Sequence, residues 1–86
     1  MAHRVDSRIA WQTVVDRVVC VDVDSGTACG FNEVGSFIWP LIEHHDEAAM
    51  AARVAARFAV ESETAVDDVR AFLEMLRARR FVVEGP

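Results

Sequence analysis

The first third of the chain has the apolar pattern of β-strands. Between residues 9 and 31, β-branched residues are frequent and short apolar runs are separated by polar residues, as in strands that face a core on one side. Asp24-Ser25-Gly26 predicts a turn, because Asp and Ser can bond the local backbone and Gly tolerates a positive φ. We therefore expect three strands, of which the last, residues 27–31, returns antiparallel to the strand before the turn.

The remaining two thirds of the chain predict three helices. Asn32 is a favourable N-cap for the first helix. Pro40 should kink that helix or begin a fresh turn, because proline removes one intrahelical hydrogen bond. Apolar residues at i, i+4 and i+8 predict a second helix over residues 47–59. Ser62 predicts the cap of a third helix, and Phe81-Val82-Val83 predicts a short strand or a docked tail.

This order of elements predicts an α+β fold, in which a three-stranded antiparallel β-sheet is followed by three α-helices and packs against them. With 86 residues, the chain is long enough for one core, so residues 1–86 are predicted to form a single domain. The first few residues and residues 84–86 are expected to be loose ends.

The sequence has no pattern that marks it for export or for a membrane. No segment approaches the roughly 20 apolar residues of a membrane span, and residues 1–6 have no apolar stretch before a cleavage site. We therefore expect a cytoplasmic protein without a membrane partner. Cys20 and Cys29 are predicted to lie in neighbouring strands without facing each other, which argues against a structural disulfide and fits a reducing compartment.

Two polar clusters are candidates for chemistry, and neither has the pattern of a site. His44, His45 and Asp46 form a short polar run, but zinc ligands come as separated pairs such as Cys-x2-Cys, which this sequence lacks. Asp67 and Asp68 point about 100° apart on a helix and have no base or nucleophile beside them, so helix-dipole stabilisation explains them. We predict no catalytic residue, no metal and no cofactor.

Two motifs, in order, resemble the PqqD-like family. The strand and turn at 19–26 precede Phe31-Asn32-Glu33-Val34-Gly35-Ser36-Phe37-Ile38-Trp39, where the family typically shows Leu-Asn before a helix and Gly or Ala before Ile-Trp. Residues 67–76 are similar to the family's closing helix, in which an Asp-Val pair precedes Phe-Leu. The resemblance covers residues 18–83. The departures from the family pattern are Phe31 for Leu, Pro40 within a helix, and Arg80 where Gly often ends the last helix.

The resemblance implies a winged helix-turn-helix-like fold and the role of a recognition element for ribosomally synthesised, post-translationally modified peptides. Such a domain is a non-catalytic adaptor that binds the leader region of a precursor peptide and delivers it to a modifying enzyme or leader peptidase. The implied partners are the leader peptide and a leader peptidase, cyclase or radical SAM maturase. Gly35 with Ile38-Trp39 resembles the free-standing domains of lasso-peptide pathways more than those of pyrroloquinoline quinone synthesis.

The implied peptide site combines the last strand with the third helix. The leader would add as a fourth strand along residues 27–31, where an edge strand offers unpaired N–H and C=O groups. One side of the third helix is expected to form the wall of its side-chain pockets, and the other side to face the core. The predicted peptide-binding residues are Thr27, Ala28, Cys29, Gly30, Phe31, Val66, Arg70, Leu73 and Arg77, and the predicted core residues of the helix are Val69, Phe72 and Leu76.

Three alternatives stay open. A winged-helix DNA-binding protein has the same order of elements, and the last helix carries four arginines over residues 70–80. Against it, a DNA-reading helix is basic near its N-terminal end, where residues 63–68 are acidic, and the net charge of −5 repels nucleic acid. The edge at 27–31 would alternatively pair with a second copy in a homodimer. The third alternative is a structural subunit of a larger enzyme.

Overall fold

A three-stranded sheet and three helices make up most of the fold, in the order that the sequence predicts. The computed structural model describes residues 3–84. In chain order the elements are β1 His3–Val5, β2 Ile9–Val14, β3 Arg17–Asp22, β4 Ala28–Gly30, α1 Glu33–Ile38, a 3-10 turn Trp39–Leu41, α2 Glu47–Phe58, α3 Ser62–Ala78 and β5 Val82–Glu84. Because β2, β3 and β4 form an antiparallel sheet in that order, the prediction of a winged-helix-like α+β fold is confirmed.

One face of this sheet packs on the helices. Val18 and Cys20, on β3, are 2% and 0% exposed, so the face that carries them is the inner one. The turn between β2 and β3 consists of Val15 and Asp16, whose φ angles are 47° and 65°. These left-handed values match the two-residue turn that suits the twist of a hairpin.

The loop between β3 and β4 sets a register that the sequence analysis does not predict. It spans residues 23–27 and begins where the carboxylate of Asp22 accepts a hydrogen bond from the N–H of Asp24 at 2.9 Å. In the resulting register, Cys20 lies directly opposite Cys29. The prediction that the two cysteines do not face each other is therefore wrong, because the loop is longer than the predicted turn and shifts the returning strand.

A second, two-stranded sheet joins the two ends of the described chain. β1 pairs antiparallel with β5, and Val5 lies opposite Val82. Of the strand or docked tail expected at 81–83, the strand is confirmed one residue later, at Val82–Glu84, whereas the expectation of loose ends is wrong from His3 onwards and at Glu84. Each of these strands has three residues, which is too short for an apolar alternation to stand out in a sequence. Residues 85 and 86 lie outside the described residues.

Two of the three predicted features of the helix ends are confirmed. The side chain of Asn32 caps α1 and accepts a hydrogen bond from the N–H of Gly35 at 2.8 Å. Pro40 lies in the 3-10 turn that follows α1, as expected for a residue that starts a fresh turn. The predicted cap at Ser62 is wrong, because α3 already includes Ser62 and the capping position is Glu61, which makes no side-chain hydrogen bond there.

The end of α3 is held by an unusual backbone conformation and by an arginine from the sheet. Arg80 has a φ of 59°, the left-handed conformation that glycine usually supplies after a helix and that costs other residues about 1–2 kcal/mol. The N–H of Phe81 then bonds to the carbonyl oxygen of Leu76 at 2.9 Å. Arg8, just before β2, donates to the carbonyl oxygen of Arg80 at 2.8 Å and to the carboxylate of Asp22 at 3.0 Å. Arg8 therefore joins the sheet to the end of α3.

The core lies between the inner face of the sheet and the three helices. Trp39 contacts the sheet through Trp11, with the ring centroids 6.1 Å apart. The largest side chains that are almost fully buried include Trp39, Ile38, Ile42, Met50, Leu73 and Leu76. Each helix therefore contributes to one continuous core.

Candidate functional site

β4 is an edge strand with backbone groups that point away from the sheet. The carbonyl oxygen of Thr27 and the N–H of Phe31 bond to β3 at 2.9 and 3.0 Å. Because antiparallel pairing alternates, Cys29 also faces β3, while the N–H and C=O groups of Ala28 and Gly30 face the open edge. Within residues 3–84 no further strand pairs with β4. The edge can therefore accept one more strand.

Helix α3 forms a wall beside this edge. Phe72 packs against Phe31, which follows β4, with the ring centroids 5.0 Å apart and the rings nearly perpendicular. Near the end of the helix, Arg79 Nη1 lies 3.4 Å from the sulfur of Cys29. A cavity of about 310 Å³ begins at Asn32 and is lined further by Val34, Gly35, Asp68, Ala71, Phe72 and Met75. We call the open edge of β4 together with this cavity the β4 groove.

Gly35 allows α1 and α3 to approach closely at the base of the groove. A Cβ atom at Gly35 would lie 2.8 Å from Cε1 of Phe72 and 3.2 Å from Cβ of Phe31. Real side chains do not approach that closely, so even alanine would push the Phe72 ring away. The absence of a side chain at Gly35 therefore fixes where the aromatic wall of the groove stands.

The β4 groove has one acidic end and one basic end. Asp68 lies in the first half of α3 and Arg79 just after its last residue, about 16 Å apart at the helical rise per residue. Between them, Ala71, Phe72 and Met75 supply mostly apolar surface. A strand that occupies the groove would therefore meet apolar contacts in its middle and opposite charges at its two ends.

The comparison with protein families decides what kind of protein carries this groove. The model of the family described as coenzyme PQQ synthesis protein D (PqqD) matches residues 17–82. This chain belongs to the PqqD family. PqqD proteins are peptide-binding adaptors and not DNA-binding proteins, so the resemblance is confirmed and the DNA-binding alternative is wrong. No curated protein matches the chain.

Two solved structures share the fold over nearly their whole length. The structure described as TbiB1 in complex with the TbiA(beta) leader peptide is 25% identical, has a TM-score of 0.86, and covers 96% of this chain and 98% of its own. The structure described as lasso peptide synthetase B1 complexed with the leader peptide is 21% identical, has a TM-score of 0.87, and covers 96% of this chain and 99% of its own.

The strand half of the predicted peptide site lies at the groove of this PqqD-family chain. Ala28 and Gly30 are exposed, and Cys29 is half-buried on the inner face. Thr27 precedes β4, and its side-chain oxygen accepts from Ser25 at 3.1 Å. Phe31 is only 7% exposed, so it supports the groove from below. Residues 27–31 are therefore brought together, and their role in binding stays a prediction.

The helix half of the predicted site does not lie at the groove. Leu73 is fully buried in the core. Val66 and Arg70 line a different cavity of about 370 Å³ at the start of α3. Arg77 Nη2 lies 2.7 Å from His3 Nε2 and 3.9 Å from Glu47 Oε1. The structure therefore does not bring these four residues together beside β4, because α3 turns its other flank towards that strand, and their role in binding stays a prediction.

The residues that do form the wall are not among the predicted binding residues, and Phe72 is among the predicted core residues. They are Asp68, Ala71, Phe72, Met75 and Arg79. The signal that could have found them is the width of the apolar face of α3, which exceeds what one packing partner needs. Phe72 and Met75 lie at one margin of that face and are only half-buried, as expected for side chains that contact an occupant.

The described part of the chain lacks the features of a membrane span and of a metal site. Among residues 3–84, no helix combines the length and the apolar character needed to cross a bilayer. The same residues contain no group of three or more His, Cys, Asp or Glu side chains that could hold a metal ion.

Proposed function

We propose that this chain is a non-catalytic adaptor that binds the leader region of a ribosomally synthesised precursor peptide as an added strand on β4. The observation that carries the proposal is the open edge at Ala28 and Gly30 beside the aromatic wall of α3. Two structures with the same fold contain leader peptides, and one of them is a lasso peptide synthetase B1. They support a lasso-peptide pathway for this chain.

The energetics require both halves of the β4 groove. The two N–H and two C=O groups of Ala28 and Gly30 would contribute about 1 kcal/mol net for each hydrogen bond. Association costs roughly 4–15 kcal/mol, so backbone pairing does not suffice. Each well-buried apolar side chain of the leader would contribute about 1.5–3 kcal/mol. Phe72 and Met75 are the surfaces that such anchors would contact, and they would determine which leader sequences bind.

The proposed partners follow from this role. The adaptor would present the bound precursor to a leader peptidase, a cyclase or a radical SAM maturase in the cytoplasm, and the chemistry would take place on that enzyme. Pairing of β4 with a second copy is the competing use of the same edge. It predicts a concentration-dependent homodimer that a leader peptide dissociates, because both occupants need Ala28 and Gly30.

A titration with two matched variants tests the proposal. The labelled chain is titrated with the leader half of a precursor peptide encoded beside it, and amide shifts are followed by NMR. We expect saturable shifts at Ala28 and Gly30. Met75→Ala should weaken binding about tenfold, the effect of losing part of one apolar anchor. Val66→Ala also truncates a half-buried apolar residue of α3, but on the other flank, and should leave the affinity unchanged.

The opposite result would show that the β4 groove is not the leader-binding site. If Val66→Ala weakens binding and Met75→Ala does not, the leader occupies the other flank of α3. If none of the nearby leader sequences shifts the amides of β4, the chain is not a leader-binding adaptor.

A further inference from the structure

The two cysteines lie where the sheet meets the β4 groove. Cys20 on β3 and Cys29 on β4 are directly opposite each other, so their side chains are on the same face. Both are thiols in the described structure. They form a hydrogen-bonded type of pair, for which the Cα atoms are about 5.5 Å apart. That distance falls within the range of about 4.4–6.8 Å that a disulfide bond spans.

The two thiols differ in burial, and this difference determines which of them reacts first with an oxidant. Cys20 is fully buried, and burial, with a smaller contribution from Cys29, raises the pKa of the Cys20 thiol to about 12. Cys29 is half-buried at the sheet edge, and Arg79 Nη1 lies 3.4 Å from its sulfur. The thiolate is the reacting species, and of the two residues only Cys29 is partly exposed to a dissolved oxidant. Cys29 is therefore the thiol that an oxidant meets first.

We propose that Cys20 and Cys29 form a reversible internal disulfide that distorts β4 and weakens leader binding. The effect on binding rests on the proposed function. The oxidant is a low-molecular-weight disulfide. The Cys29 thiolate attacks it, forms a mixed disulfide and releases one small thiol. Cys20 then attacks the Cys29 sulfur, passes its proton to the second small thiolate and displaces it. Two protein thiols are oxidised, and one small disulfide is reduced to two thiols.

Closing this bond must move the edge strand. Opposite residues in an antiparallel pair have Cβ atoms about 4.5–5.5 Å apart, whereas the Cβ atoms of a disulfide are about 3.8 Å apart. β4 has only three residues, so it can yield where a long strand would not. Ala28 and Gly30 flank Cys29 and would be displaced with it. The strain also makes the bond easy to reduce, as in regulatory rather than structural disulfides.

The test compares the full chain with two variants after treatment with oxidised glutathione. Intact mass should show the wild type losing two hydrogen atoms, and Cys20→Ser should stop at the glutathione adduct on Cys29. Cys29→Ser should form neither product, because Cys20 is fully buried. NMR of the oxidised wild type should show shifted amides at Ala28 and Gly30, and a reductant should restore the original spectrum.

Leader binding is then measured on the reduced and oxidised chain. We expect oxidation to weaken it about tenfold, as for the loss of one or two hydrogen bonds at the edge. The inference is overturned if the wild type only forms the glutathione adduct, or if the internal disulfide leaves the β4 amides unshifted. A reduced chain that binds no leader while the internal disulfide forms and shifts β4 would overturn the proposed function and leave the redox-active pair standing.

Discussion

The sheet has two open edges, and they differ in what stands beside them. β2 is the longer edge, with six residues, and its Trp11 is 46% exposed. β4 has half that length. The cavity near the end of β2 is lined by two phenylalanines and by four charged side chains, whereas the one beside β4 has Asp68 as its single charged residue and is otherwise mostly apolar. Unpaired backbone groups are therefore common to both edges, and the neighbouring helix distinguishes them.

The largest losses of stability and of leader affinity should come from truncating the aromatic wall of α3 while the edge strand β4 stays intact. Phe72→Ala takes away a half-buried ring that packs on Phe31, and we expect the free energy of unfolding to fall by about 2 kcal/mol. Leader affinity should fall at least about tenfold, since an apolar anchor loses its contact surface. Chemical denaturation and calorimetric titration measure the two quantities.

A second phenylalanine provides the matched control for that change. Phe58 on α2 is also half-buried and packs on Phe37, with the ring centroids 5.5 Å apart. Phe58→Ala should reduce stability by a similar amount and leave the affinity for the leader unchanged. Equal losses of affinity in both variants would mean that binding follows stability alone, and the aromatic wall would have no separate role.

An intermediate effect is expected from blocking one backbone donor at each edge. Gly30→Pro removes an N–H that faces the open edge of β4, and a Cβ at Gly30 would meet nothing within 4 Å, so the fold should tolerate it. Leader affinity should fall about tenfold through the lost bond and the added ring. Thr13→Pro blocks an outward N–H of β2 in the same way. If Thr13→Pro is the variant that loses binding, the leader pairs with β2.

The smallest expected effect is a change in how stability depends on pH. It arises from the hydrogen bond between Arg8, which joins the sheet to α3, and Asp22. The hydrogen bond from Arg8 lowers the pKa of Asp22 below its ordinary value. A carboxyl group with a lowered pKa in the folded state stabilises the fold above its unfolded pKa, and this contribution disappears as the pH falls through the folded value. Asp22→Asn should therefore be less stable than wild type near neutral pH and equal to it well below about pH 4. Urea unfolding at both pH values measures the difference in unfolding free energy between the two proteins. If that difference is the same at both pH values, Asp22 stabilises the fold without its charge.

Most elements of the fold could be predicted because their signals are local. The turn at Asp24-Ser25-Gly26, the Asn32 cap and the break at Pro40 each depend on the conformational preferences of a few neighbouring residues. β1 could not be predicted, since its three residues are stabilised by a strand at the other end of the chain. The pairing of Cys20 with Cys29 was missed for a related reason, because register depends on the whole loop and not on its central turn.

The sequence predicts which strand residues lie at the β4 groove, but not which residues of α3 do. Periodicity identifies the apolar face of α3, and Val69 and Leu76 are indeed fully buried at its centre. It does not tell which of the two flanks beside that centre lies next to β4, because the direction in which the chain crosses from sheet to helix decides this. Phe72 and Leu73 are neighbours in the sequence, and their burial is the reverse of that expected, since Leu73 is fully buried and Phe72 is half-buried.

The contact made by Arg8 has a consequence for how leader specificity can change. Its hydrogen bonds to the carbonyl oxygens of Arg79 and Arg80 hold the end of α3 against the sheet through backbone atoms of the helix end. This attachment of the helix end therefore does not depend on the side chains at Ala71 and Met75, which line the groove one to two turns earlier. Under the proposed function, substitutions at Ala71 or Met75 would change which precursor sequences bind while the contact that Arg8 makes stays in place.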